Sequence, residues 1–292
     1  MRVTEQMRYD SVANNLSQLS ARQAKAAQEA QTGVRVSLPS DDPIAAAQLA
    51  RLSASQSQVS ARRSTISSVR GDAELAESSL QQASDLMASA KELAMQGGNG
   101  SLGATERQGL ALQVKDIRDQ LIGIANTKGT SGYLFAGSAT ETKPFSATGA
   151  FSGNDDSHVV DIGNSTPSTV NASGAKAFTA AGGRDVFADL DALYNALNAN
   201  DVAAIGTSLD GIDISRSQIT NAQAAVGITL NKLDASDSVQ SALDLSNSKS
   251  QSDLGAADPA KAYSTLVQLN NALQQSVSVG KSILDMAAFK QF

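Results

Sequence analysis

Six residues, Gly98-Asn-Gly-Ser-Leu-Gly103, match the G-x-G-x-x-G pattern whose backbone cradles a dinucleotide pyrophosphate. That chemistry needs a strand before the glycines and a βαβ unit around them. Here the residues up to Gln96 carry helical spacing, so the segment reads as a turn between helices. Asp41-Asp42 and Asn154-Asp155-Asp156 offer the hard oxygens that calcium or magnesium prefers. Neither has EF-hand spacing. The first pair precedes Pro43, as an acidic helix cap does, and the second has turn composition. His158 is the only histidine and reads as a surface or edge-strand residue, since H-E-x-x-H and G-x-S-x-G motifs are both absent. With no cysteine there is no thiolate nucleophile, disulfide or Cys-based metal site. A paired-carboxylate glycosidase would need an aromatic-lined cleft for its sugar, and none is visible. The expectation is a protein that is not an enzyme, with no catalytic residue, cofactor or metal.

What the sequence does supply is contact surface. Apolar residues recur every seventh position at Leu52, Val59, Ile66, Ala73, Leu80, Met87 and Ala94. Beside them Ile66, Val69, Ala73, Ala76, Leu80, Ala83, Met87 and Ala90 alternate three and four apart. This keeps one stripe of a helix facing a partner over many turns. The helix starts behind Asp42-Pro43 and stops at Gly97. Thr105 and Gln108 could form a capping box ahead of a second, antiparallel helix displaying Leu110, Val114, Ile117, Leu121 and Ile124. Ile212, Ile219, Val226 and Leu233, again seven apart, predict a third long helix.

The chain ends are helical too. Val3, Met7, Val12, Leu16 and Leu19 mark an N-terminal helix that ends at Thr32-Gly33. Leu266, Leu269, Leu273, Val277, Gly280 and Leu284 mark the last helix, after Asp258-Pro259. Between the halves, Gly132-Tyr-Leu-Phe-Ala-Gly137, Phe145, Phe151 and His158-Val-Val-Asp-Ile162 read as small hairpins, with Tyr133 and Phe135 as packing residues. Val170 to Gly183 reads as loop. The predicted fold is mainly α: an elongated antiparallel helical bundle or coiled coil of N- and C-terminal parts, with a small β-rich insertion. The expected division is 1–42 with 256–292, then 43–136 with 185–255, then 137–184 as the outward domain.

Composition agrees. The 292 residues are 41% hydrophobic but only 4% aromatic, without tryptophan, which suits narrow helix seams better than a dense globule. The 23 basic and 29 acidic residues give a net charge of −6, so no positive field gathers nucleic acid. No apolar run approaches membrane-spanning length and the start lacks a secretory h-region, so the chain reads as soluble. Ordering the terminal segments costs roughly 1–2 kcal/mol per residue, against about 1.5–3 kcal/mol returned per buried Leu or Val. With sparse apolar positions, these helices are expected to be marginal until other chains bury them. Arg35, Asp41 and Asp42 flank the first connector, where they read as solvated charges or as an ion pair between subunits.

Several of these segments resemble the flagellin-like axial proteins of bacterial flagella, and within them the hook-filament junction group. The carriers are Met1-Arg-Val3, Thr32-Gly-Val-Arg-Val-Ser-Leu-Pro-Ser-Asp-Asp-Pro43, the Gly98-Asn-Gly100 turn, Ile117-Arg-Asp-Gln-Leu121, Gly132-Tyr-Leu-Phe-Ala-Gly137 with Pro144-Phe145, and Val226-Gly227 through Asp234. The resemblance implies unfolded export through the flagellar type III channel and extracellular assembly as an adapter in a ring of copies. The implied partners are hook-associated protein 1, flagellin, and an export chaperone gripping Leu266, Leu269, Leu273 and Val277. The alternatives are a flagellin itself, a secreted enzyme on a flagellin-like scaffold, and a coiled-coil part of another secretion or phage apparatus. The connector, the short insertion and the missing protease motif argue against them. The insertion is short for the family, and Pro259 stands where a plainer helix former is expected.

Overall fold

The computed structural model describes residues 2–163 and 168–289, with side chains described for all of these except 2–5, 8, 168 and 283–289. Its elements are α1 (Arg2–Thr32), α2 (Pro43–Gly97), α3 (Ala104–Ala125), β1 (Lys128–Gly129), β2 (Gly132–Tyr133), β3 (Val159–Val160), β4 (Ser168–Thr169), α4 (Gly174–Phe178), a 3-10 turn (Ala180–Gly182), α5 (Val186–Asn198), α6 (Val202–Gly255) and α7 (Pro259–Phe289). Contacts divide the chain into two compact units, one of Met1–Gln58 with Leu243–Phe292 and one of Val59–Ala242. Helices α2 and α6 contribute residues to both.

In the Val59–Ala242 unit the seven-residue repeats become the core. Val59, Ile66, Ala73, Leu80, Met87 and Ala94 on α2, and Ile205, Ile212, Ile219, Val226 and Leu233 on α6, are all buried. The two helices run antiparallel, because polar pairs along their flanks join rising to falling numbers. Arg63 Nε meets Asp237 Oδ1 at 3.1 Å, Gln223 Nε2 donates to Gln81 Oε1 at 3.0 Å, and Lys91 Nζ meets Asp213 at 2.7 Å. Such half-exposed pairs add little stability. They do mark register. Alanines at 73, 76, 83, 90 and 94 keep the α2 seam narrow, so α3 (Leu110, Val114, Leu121) and α5 (Leu190, Leu193, Leu197) join the same buried cluster.

The β segments are as small as expected: β1 pairs antiparallel with β2 across Thr130-Ser131, β3 pairs with β4, and Phe145 bridges Phe151. The insertion nevertheless shares the helical core. Phe135, Phe145 and Phe178 lie in one cluster with the helices, and Phe178 and Phe145 meet edge-on with centroids 5.6 Å apart. Two local expectations are corrected. Val170–Gly183 is not all loop, for Ser173 Oγ accepts from Lys176 N at 3.1 Å to cap α4, which delivers Phe178 to the core. Five residues are too few for periodicity to reveal a helix. The capping box at Thr105 does not form: α3 starts two residues earlier, with extended Gly103 as N-cap and no side-chain cap.

Three buried polar side chains tie the elements together. Arg107 donates from Nε to Gly97 O at 2.7 Å, from Nη2 to Asn99 O at 2.8 Å, and from Nη1 to Asn200 Oδ1. It thus joins the α2–α3 turn to the α5–α6 turn. Asp189 accepts from Arg184 and from Ser215 Oγ at 2.5 Å. Gln218 spreads its amide over Ala177 O, Thr179 O and Arg184 O while accepting from Arg184 N at 2.9 Å. Arg107 and Gln218 satisfy backbone groups that burial would otherwise leave unpaired, and Asp189 gives the Arg184 guanidinium and the Ser215 hydroxyl their acceptor.

Phe178→Ala is expected to destabilise this unit by about 3–5 kcal/mol, whereas Leu112→Ala, at a side chain 65% exposed, should stay within about 0.5 kcal/mol. Urea unfolding followed by circular dichroism reads both, and equal effects would overturn the assigned core.

Candidate assembly interface

Helices α1 and α7 pack on each other, antiparallel. Gln23 Nε2 donates to Asn270 Oδ1 at 2.8 Å, and a Cβ placed on Gly280 would come within 3.3 Å of Val12 Cγ1. Residues 12, 16, 19, 23, 26 and 30 of α1 and 262, 266, 269, 273, 276 and 280 of α7 form the facing stripes, by alternating steps of three and four. Only small residues are fully buried on this seam, namely Ala26, Ala262 and Gly280. Val12, Leu16, Leu19, Leu266, Leu269 and Leu273 are half-buried, because a two-helix seam covers only one side of each leucine.

Two residues expected on the stripes lie off them: Met7 is 65% and Val277 54% exposed. The side chains of Val3 and Leu284 lie outside those described. Sequence reading missed Tyr263 and Val267, which are 59% and 57% exposed. With Val277 they form a second apolar stripe on α7 at 263, 267 and 277. The same three-four stepping marks it in the sequence, beside the larger leucine stripe.

The connector between α1 and α2 brings Arg35, Asp41 and Asp42 together. Gly33, at φ +68°, ends α1 in the left-handed conformation glycine tolerates. The chain then pairs with the segment before α7: Arg35 N donates to Gly255 O at 2.7 Å and Ala257 N to Gly33 O at 2.8 Å. Arg35 Nη2 donates to Leu254 O at 2.7 Å, and its Nη1 meets Asp42 Oδ2 at 3.1 Å. Asp42 caps α2, its Oδ1 accepting from Ala45 N at 3.0 Å, with Pro43 as first helical residue. Asp41 bonds Lys25 Nζ at 2.6 Å and accepts from Ser37 N and Leu38 N at 3.1 and 2.9 Å. Asp258 caps α7 the same way, accepting from Ala260 N at 2.9 Å ahead of the helix that Pro259 opens.

These bonds set the charges. The Lys25 ammonium and the Leu38 and Ser37 groups hold the Asp41 carboxyl far below the usual carboxylate range. The Ala45 N–H, then Arg35, lowers Asp42. Lys25 is raised by its bond to Asp41. The other candidate chemistry is structural. Asn154 Oδ1 accepts from Ser138 N at 2.8 Å, Asp156 from Ser138 Oγ at 3.1 Å, and Asp155 from Ser173 Oγ. His158 is exposed on the β3 flank. Among the described residues there is no group of three or more His, Cys, Asp or Glu side chains suited to a metal, and no helix is long and apolar enough to cross a membrane.

The lowered Asp41 and Asp42 stabilise the connector fully above their unfolded value of 3.8, and this contribution fades as pH falls below it. Hydrogen exchange should therefore show the Ser37 and Leu38 amides losing protection on acidification below about pH 4. In Asp41→Ala they should be unprotected already at neutral pH, without acid dependence. Unchanged protection in that variant would refute the assigned role.

With the geometry in place, comparison with known proteins gives its context. The bacterial flagellin N-terminal helical region matches residues 3–140. Flagellar hook-associated protein 3 of Salmonella typhimurium is 30% identical over 314 residues, covering 99% of this chain and 99% of that protein. Its counterpart in Escherichia coli is also 30% identical, over 316 residues and 100% and 99% of the two chains. The solved structure of a flagellar hook-associated protein from Vibrio parahaemolyticus superposes with a TM-score of 0.68 at 26% identity, covering 74% of this chain and 100% of that one. The chain belongs to the flagellar hook-associated protein 3 family.

Proposed function

We propose that the chain is the structural adapter that joins the flagellar hook to the filament, exported unfolded by the flagellar type III system and assembled outside the cell. The observation that carries this reading is end-to-end similarity: 30% identity covering 99% of both this chain and the Salmonella hook-associated protein. A relationship that spans both helical halves and the insertion covers every surface an adapter would use. Within the flagellum the proposed neighbours are hook-associated protein 1 on one side, flagellin on the other, and further copies of this chain in a ring.

The division of labour we propose follows the sequence. Residues 1–42 and 256–292 form the inner layer, the long helical parts 43–136 and 185–255 the layer around it, and 137–184 the outward segment. Val3, Met7, Val12, Leu16 and Leu19 on α1 and Leu266, Leu269, Leu273, Val277 and Leu284 on α7 serve as assembly contacts. Arg35, Asp41 and Asp42 set the connector between the layers. The half-buried leucines of the α1–α7 seam support this reading, since they leave apolar surface for other chains to cover. Before export, the chaperone holds Leu266, Leu269 and Leu273, with Val277 on the exposed flank beside them, so chaperone and assembly compete for the leucine stripe.

Immunogold labelling of isolated hook-filament particles with antibody to residues 140–180 should give a single band at the hook tip. Label along the whole filament would make the chain a flagellin instead. Leu269→Asp is expected to abolish chaperone binding in a pull-down and to abolish motility. Wild-type affinity in that variant would remove the assigned chaperone face.

A further inference from the structure

The turn from α2 to α3 contains the only Asn-Gly step of the sequence, Asn99-Gly100, and both residues are exposed. Hydrogen bonds converge on Asn99 from two sides. Its side-chain Oδ1 accepts from Ser101 N at 3.1 Å and Ser101 Oγ at 2.9 Å. Its main-chain oxygen accepts from Arg107 Nη2 at 2.8 Å and from Leu102 N at 3.2 Å. Among the described residues nothing accepts a hydrogen bond from Gly100 N–H, and a Cβ at Gly100 would meet no atom within 4 Å.

Each of these features favours attack of the Gly100 nitrogen on the Asn99 side chain. The N–H is open to base. A guanidinium on the carbonyl of the same peptide draws electron density from that bond and favours the deprotonated nitrogen. The electrophile is Cγ, whose oxygen becomes an oxyanion during attack, and two donors already point at that oxygen. We propose that Asn99-Gly100 is a built-in succinimide site at which the folded chain converts Asn99 to aspartate and isoaspartate without an enzyme.

The chemistry needs only water. Base removes the Gly100 N–H proton, the nitrogen forms a bond to Cγ, the Cγ–Nδ2 bond breaks, and Nδ2 leaves as ammonia after taking a proton from solvent. Water then opens the five-membered imide. Addition at Cγ gives aspartate. Addition at the main-chain carbon gives isoaspartate, in which the chain runs through Cγ and the former main-chain carbonyl carbon carries the free carboxylate.

Arg107 makes the second product acceptable to the fold. Its side chain is buried, the residue being 3% exposed, and its three acceptors, Gly97 O, Asn99 O and Asn200 Oδ1, are all neutral. Isoaspartate places a carboxylate on the carbon whose oxygen already accepts from Nη2. The modification therefore supplies this buried cation with an anion, while lengthening the turn by one backbone carbon.

The test incubates the full-length protein at neutral and mildly alkaline pH, folded and, in parallel, in concentrated guanidinium chloride. Tryptic peptides are then followed by mass spectrometry, with chromatography separating aspartate from isoaspartate. The peptide 92–107 should gain the mass of one deamidation before any other, at least as fast in the folded chain as in the denatured one. Ser101→Ala, at an exposed residue whose loss circular dichroism should show to be structurally silent, should slow the folded reaction roughly threefold to tenfold, the worth of one ordinary hydrogen bond. It should leave the denatured rate unchanged. A folded rate below the denatured one, earlier deamidation at another asparagine, or no effect of Ser101→Ala would each overturn the proposal.

Discussion

The antiparallel seam between α2 and α6 in the Val59–Ala242 unit is the contact on which the rest of that unit depends. Isoleucines at 205, 212 and 219, with Val226 and Leu233, are buried at seven-residue intervals. Against them α2 offers alanine at 73, 76, 83, 90 and 94, with Val59, Ile66, Leu80 and Met87 as the larger side chains. Large residues on one helix against small ones on the other bring the backbones close and leave room at the flanks for α3 and α5. The phenylalanines of the insertion enter the same cluster, so short strands that could not stand alone are held by helical packing.

The Met1–Gln58 and Leu243–Phe292 unit is built on a different balance. Its α1–α7 seam fully buries only small residues, and its leucines are half covered. By area, such a pair returns far less than a four-helix core of similar length. Polar closure does part of the work instead: Gly33, Arg35, Gly255 and Ala257 exchange backbone bonds where the two strands of the connector meet. A thin seam with polar ends suits the proposed function, in which the segment is exported unfolded and ordered again among other chains. A core like that of the other unit would resist both.

Buried polar groups supply the specificity that apolar packing lacks. Arg107, Asp189 and Gln218 each bind particular carbonyl, guanidinium or hydroxyl groups whose meeting no periodic pattern defines. Helices built from repeating alanine and leucine could slide by a turn at small cost. These side chains fit only one register. The guanidinium that fixes the α2–α3 turn through the Asn99 carbonyl is also, in the proposed reaction, the group that favours loss of the Gly100 N–H proton.

Local sequence determined the long helices, most of their buried stripes and most of their ends, because seven-residue spacing, Gly33, Asp42-Pro43 and Asp258-Pro259 act through local geometry. It also disclosed Arg35, Asp41 and Asp42 as neighbours of a connector, though not which partner each takes. Tertiary structure alone decided what is held by contacts distant in sequence. Arg107 bonds Asn200, 93 positions away, and Phe178 reaches the core from a helix of five residues. Val277 faces away from the stripe that its spacing suggested, since a helix is round and only its partner's position selects which side is buried. Local pattern fixes the period of a helix, whereas the choice of face and of long-range polar partners is an energy of the assembled fold.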